Sequence, residues 1–340
     1  MKKLIKLKTI GIIFIFLTAF FIFKNLTLIG NQVKLEKILD EKNKKIIFEG
    51  KLNENQIKIE YQKRNNIFLP KIGDKVLVEK IGNKYFISDF YRLDKIFILV
   101  LIFLLVVFFI IGKESIGSII SLILSFLIIF GSILNNLINQ TDPIITVFIS
   151  MIFLIPISFY ISHGLNKKTT ISVLASLSSI IIALILSLIF IKKSFITGTT
   201  AEETAFLATI TQKNFDFQGL LIASIIIGVF GSIDDITISQ VSVVEKIISI
   251  NPKLKDEEIY KKAIAVGKDH VNSIINTLFL VYTSASLPLL LLFLASNKSF
   301  FELLNYEIVA SEIIRIIIAT IAVVTTIPIA TYLAVKNLKK

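Results

Sequence analysis

Long apolar segments divide this chain, and outside the long polar stretch of residues 24–95 its lysines fall mostly in alternate gaps between them. One set of gaps carries Lys2, Lys3, Lys6 and Lys8, then Lys113, then Lys167 and Lys168, then Lys246 to Lys268, and finally Lys336, Lys339 and Lys340. The short gaps of the other set hold only Lys192, Lys193, Lys213 and Lys298. A chain that crosses a bilayer repeatedly keeps its basic residues on the cytoplasmic side. The pattern therefore predicts an all-α polytopic membrane protein of about eight transmembrane helices, with both termini in the cytoplasm. Composition agrees, because 54% of the residues are hydrophobic and they sit in uninterrupted blocks.

A net charge of +12 would suggest nucleic acid in a soluble chain. Here the lysines flank spans, where they meet lipid headgroups, so the bilayer is the expected partner and nucleic acid is not. With no cysteine there is no disulfide framework, thiolate nucleophile or thiolate metal site. Heavy use of Ile, Lys and Asn fits a bacterial coding bias, which points to the inner (plasma) membrane of a bacterial cell.

Three regions follow. Residues 1–29 read as an N-terminal signal-anchor helix: Thr9 to Phe23 is apolar, and no small-residue cleavage site follows. Residues 30–95 alternate polar and apolar positions with Asn or Gly turns between, which predicts a small extracytoplasmic β domain, barrel-like and of OB or SH3 size. Residues 96–340 carry seven further spans, at about 96–112, 116–137, 144–162, 171–191, 217–238, 271–294 and 308–335. An amphipathic or re-entrant segment is expected near 199–212 and a cytoplasmic loop near 245–269.

Candidate chemistry lies in the C-terminal half. Gly228, Gly231, Ser232, Asp234 and Asp235 put small residues and two carboxylates into an otherwise apolar helix. A carboxylate in lipid is costly unless paired, protonated or hydrated. Ser232 with Asp235 also forms a capping-box pattern, so the sequence predicts a helix break here, with a cap and an ion or proton site as compatible readings. Asp269, Asn272, Asn276 and Thr283 share one helical face and read either as interhelical hydrogen bonding or as a hydrophilic lining beside Asp235. Pro288 interrupts the same span and frees a carbonyl near Ser284. Glu312 and Arg315, three apart, read as a structural ion pair or as a gate. His163 and His270 are flanked by lysines and read as interfacial residues; no metal site or cofactor is expected. Neither a phosphate-binding glycine loop nor a nucleophile elbow occurs, and adjacent carboxylates point about 100° apart on a helix, so no enzymatic activity is expected.

These residues resemble the YibE/F-like family of bacterial multispan membrane proteins. The resemblance rests on Gly228-x-x-Gly231 with Asp235, Ser239, Ser242 and Glu245, on Asn251-Pro252, on Gly267-Lys268-Asp269, and on Asn276-Thr277-Leu278 with Tyr282. It continues through Leu287-Pro288-Leu289, Glu312-Ile313-x-Arg315 and Pro328, and upstream through Gly73-Asp74-Lys75-Val76 and Asp89-Phe90-Tyr91-Arg92. It implies a membrane protein of permease type and gives Asp235 the family expectation. Asp234 and Asn272 depart from the pattern, standing where an apolar residue and a glycine are expected. The expected function is a transporter or permease for an ion or small solute, with Asp235 binding the ion and Ser239, Asn272, Asn276 and Thr283 along its path. The alternative is a non-catalytic assembly or regulatory membrane protein that meets an envelope partner through its external domain or forms a homo-oligomer.

Overall fold

The computed structural model describes residues 31–339 apart from 43–44, 53–54, 64–67, 113, 200–201, 212–213 and 296–297. The predicted anchor at residues 1–29 lies outside the described residues. The chain divides into two compact units, Met1–Ile116 and Gly117–Lys340.

In the first unit, β1 (Gln32–Lys42), β2 (Lys45–Leu52), β3 (Asn55–Gln62), β4 (Lys75–Ile81) and β5 (Lys84–Phe90) close a barrel in the order β1-β2-β3-β5-β4. It is a five-stranded barrel, the size class of OB folds. Alternation turns Val33 and Leu35, Ile46 and Phe48, Ile59 and Tyr61, and Val76 and Val78 inward. Gly50 is needed where β1 crosses β2, since a Cβ there would lie 2.5 Å from Val33 Cγ1 and 2.7 Å from the Lys34 carbonyl. The β4–β5 hairpin turns on Gly82–Asn83, with Gly82 at φ 61° in the left-handed conformation that such a tight loop places first.

Closure depends on a short parallel pairing of β3 with β5, Ile59 with Tyr85 and Glu60 with Phe86. Glu60 braces it, 2.7 Å from Lys45 on β2 and 3.4 Å from Lys84 on β5. The Lys45 hydrogen bond, helped by Lys84, holds the Glu60 carboxyl below its usual range. A lowered carboxyl contributes stability that is complete above its unfolded pKa and is lost as pH falls through the folded one. Glu60→Gln is therefore expected to cost roughly 0.5 kcal/mol at neutral pH, a difference that shrinks as pH falls below the ordinary carboxylate range and vanishes once the folded carboxyl is protonated. Hydrogen exchange at the β3 and β5 amides of the full chain measures it; unchanged protection at neutral pH would leave closure to backbone pairing alone.

Helix α1 (Leu93–Ile111) completes the described part of the first unit. The remaining helices are α2 (Ser115–Ile138, with a π turn at Ile129–Ile133), α3 (Pro143–His163), α4 (Lys167–Lys193), α5 (Glu202–Thr211) and α6 (Phe217–Ile250). After them come α7 (Asp256–Ala285), α8 (Leu287–Leu294), α9 (Phe300–Asn305) and α10 (Glu307–Leu338). Among the described residues, six helices are long and apolar enough to cross a membrane: α1, α2, α3, α4, α6 and α10. Side-chain caps fix several starts, with Asp142, Asn166 and Asp216 accepting the backbone N–H of Ile145, Thr169 and Gly219.

Three expectations are corrected. The break predicted at Gly228, Gly231 and Ser232 is absent: α6 is one helix of 34 residues, and Ser232 turns its hydroxyl back to the Gly228 carbonyl at 3.4 Å instead of capping a new start. The loop expected near 245–269 is largely helical, because α6 runs to Ile250 and α7 begins at Asp256. The span expected at 271–294 is divided, since α7 ends at Ala285 and α8 starts at Leu287 with Pro288 in its first turn, where a missing N–H costs nothing. In the 199–212 segment, α5 leaves Phe206 and Ile210 exposed one turn apart.

Helices α3, α4, α6, α7 and α10 enclose the main apolar core. A second cluster, including Ile171, Val244, Ile259 and Val335, joins the start of α4, the end of α6, the start of α7 and the end of α10. Lys339 ties this end together, 2.6 Å from Asp256 and 2.7 Å from the Leu254 carbonyl. At the opposite end, Glu307 accepts from Thr197 N–H at 2.6 Å, Thr197 Oγ1 at 2.7 Å and Gly198 N–H at 3.1 Å, which pins the connection after α4 to the start of α10.

Candidate functional site

A polar seam runs through the apolar interior. The Ser176 hydroxyl of α4 lies 3.1 Å from that of Thr237 on α6. Ser179 of α4 lies 2.7 Å from Thr326 of α10. Gln240 of α6 donates through Nε2 to the Ala263 carbonyl of α7 at 3.0 Å and to Thr331 Oγ1 of α10 at 2.7 Å. All of these side chains are buried. Thr237, Ser179 and Thr331 also reach carbonyls one turn back on their own helices, which lets each donate locally and accept across the interface. Between helices in lipid, where no hydrophobic drive operates, such bonds and close packing hold the bundle.

Packing is close at Gly267 of α7. A Cβ there would lie 2.7 Å from Ile327 Cγ2 and 2.8 Å from Gln240 Oε1, so glycine is what lets three helices meet around Gln240.

The two carboxylates of α6 differ in exposure. Asp235 is exposed, which corrects the expectation that it is sequestered by neighbouring helices. Asp234 is half-buried instead, and its Oδ1 is enclosed with no hydrogen-bond partner among the described residues. A residue at 234 points about 100° away from one at 235; that rotation brings Asp234 toward the packed side. His163 lies within electrostatic range of both Asp235 and Lys168. Ser239 is half-buried and bonds the Ile236 carbonyl at 3.1 Å. Gly231 has no atom within 4 Å of an added Cβ, whereas one on Gly228 would lie 2.9 Å from the Tyr282 hydroxyl of α7.

Asp269, Asn272, Asn276 and Thr283 share a face of α7, and that face is exposed. Asn272 lines a groove with Thr325 and Pro328 of α10, and neither α6 carboxylate lines it. The structure thus does not place Asn272 in a lining beside Asp235. Glu312 and Arg315 form an ion pair at 3.4 Å, partly covered, with Arg315 Nε enclosed and unpartnered among the described residues; both act electrostatically on Tyr282. No group of three or more His, Asp or Glu side chains is set to hold a metal among the described residues.

The seam escaped the sequence reading. Its signal is Ser172, Ser176, Ser179, Ala183 and Ser187, which recur every three or four residues along α4 and form one small-residue face.

Residues 99–340 match the model of the family described as YibE/F-like protein. No curated protein and no solved structure matches the chain.

Proposed function

We propose that this chain, which belongs to the YibE/F-like family of proteins, is a multi-pass bacterial inner-membrane permease for an ion or small solute. It would have about eight spans and both ends in the cytoplasm. The observation that carries the reading is Asp234: a carboxyl oxygen without a partner among the described residues, enclosed in a helix bundle apolar enough to span a bilayer. In lipid such a group must take up a proton or a cation, and a group obliged to do so can couple its binding to movement. The seam formed by Ser176, Ser179, Thr237, Gln240, Thr326 and Thr331 supplies hydroxyl and amide groups across α4, α6 and α10, the helices that would shift against one another.

Purified protein in sealed vesicles tests the reading. An imposed proton or sodium gradient should dissipate at least about tenfold faster than in protein-free vesicles, as expected of a polar pathway through an apolar barrier. Rates equal to those of empty vesicles under every imposed gradient would overturn it.

One observation favours a second reading, an assembly or regulatory protein acting through its external domain. The barrel carries a cleft of about 860 Å³ lined in part by Phe68, Phe86, Phe90, Glu79 and Arg92, with Phe68 88% exposed. Crosslinking from Phe68 or Glu79 that captures one stoichiometric envelope protein, together with absent flux, would select it.

A further inference from the structure

We infer that the seam between α7 and α10 is a binding site for an anionic phospholipid. Two adjoining hollows follow it and share Tyr260. The first, about 470 Å³, lies where α7 begins and α10 ends and is lined by Tyr260, Lys261, Tyr332 and Lys336 with Asp256 and Glu257. The second, about 410 Å³, continues along Ile264, Val271, Val324 and Ile327.

The two hollows differ as the two parts of a lipid differ. At the first, Asp256 is taken by Lys339 at 2.6 Å. Lys336 lies 5.5 Å over the Tyr332 ring and 3.3 Å from its hydroxyl. With Asp256 paired to Lys339, Lys261 and Lys336 face Glu257, and the local excess is one positive charge. Tyrosine beside lysine at a helix end is the arrangement that meets headgroups, and basic pockets between membrane helices take anionic ones. The second hollow is mostly apolar, with Lys268, Asn272 and Thr325 as the polar part of its lining. From Tyr260 to Val271 it covers about 16 Å of helix, room for much of one acyl chain. Pro328 lacks the N–H that would bond the Val324 carbonyl, which loosens α10 at this wall. Beside the groove Ile321 is 39% and Tyr332 55% exposed, so it opens sideways, where lipid enters.

The test uses the full chain in detergent, titrated with phosphatidylglycerol, with phosphatidylcholine of the same acyl chains, and with inorganic phosphate. Bound lipid is read by native mass spectrometry and stability by the thermal midpoint. Phosphatidylglycerol should bind and raise the midpoint more than phosphatidylcholine, and phosphate should do neither. Joint replacement Lys261→Gln and Lys336→Gln should weaken phosphatidylglycerol about 25-fold, roughly fivefold per lysine. Thr325→Phe, which fills the apolar hollow and keeps every lysine, should also lose the bound lipid. Midpoints in phosphatidylcholine show that both variants are folded. Equal binding of the two lipids, an undiminished effect in either variant, a shift reproduced by phosphate, or stabilisation that follows protein concentration and so marks a second copy, would each overturn the assignment. The readout is binding, so it is independent of flux.

Discussion

Gly267→Val is expected to lower the stability of the helical unit by about 3 kcal/mol, the upper part of the range for overpacking a close contact. At this position the first carbon added already meets Ile327 Cγ2 at 2.7 Å and Gln240 Oε1 at 2.8 Å. Valine then adds two branches to a site with no room for one. The neighbours cannot retreat cheaply, because Gln240 is fixed by Ala263 and Thr331, and Ile327 is buried in the main core. Separating α7 from α6 and α10 would break the Gln240 bond to Ala263, and lipid cannot replace a lost amide bond. Gly267→Ala should cost less, since alanine recovers about 1 kcal/mol of helix propensity against the strain. Thermal midpoints of the three proteins in one detergent, with the monodisperse fraction, measure the order wild type, alanine, valine. A valine variant as stable as wild type would mean that α7 does not approach α6 this closely.

What could be read from the sequence depended on whether the signal was local. Alternation along Ile46–Gly50 and Val76–Val78 marks strands because each strand carries its own period. The parallel β3–β5 pairing that closes the barrel joins residues more than twenty positions apart and leaves no local mark. Ser232 followed by Asp235 caps a helix only if the preceding helix ends. After the apolar run Leu220–Phe230, continuing the backbone ladder satisfies more groups than a cap would. The expected span at 271–294 is not one crossing helix because Lys268, Asp269, His270, Asn272 and Asn276 crowd the middle of α7, and the break at Ser286 divides the apolar remainder. The carboxylates were the hardest case. Both were visible, but which one turns inward depends on where the neighbouring helices pack around α6, and a single chain does not state that.

Asp234→Asn is expected to reduce gradient-driven flux in vesicles by at least about a hundredfold, while Asp235→Asn stays within about threefold of wild type. The contrast follows from placement alone. Asparagine matches aspartate in shape but does not exchange a proton and carries no charge for a cation, so it removes the function proposed for Asp234 and leaves packing undisturbed. Asp234 stands about 26 Å along α6 from Phe217, close to the far boundary of a hydrocarbon layer about 30 Å thick. Its Oδ1 is enclosed there without a partner among the described residues. Asp235 is exposed, within electrostatic range of His163, and can be neutralised by solvent ions without any coupled event. Removing an unsatisfied buried acceptor charge should also leave the thermal midpoint unchanged or raise it, because no hydrogen bond is lost in exchange. A falling midpoint would reveal that Asp234 holds the fold together through a partner. Flux lost in Asp235→Asn and kept in Asp234→Asn would return the ion-binding role to the exposed carboxylate, with the site then completed by whatever covers that face of α6.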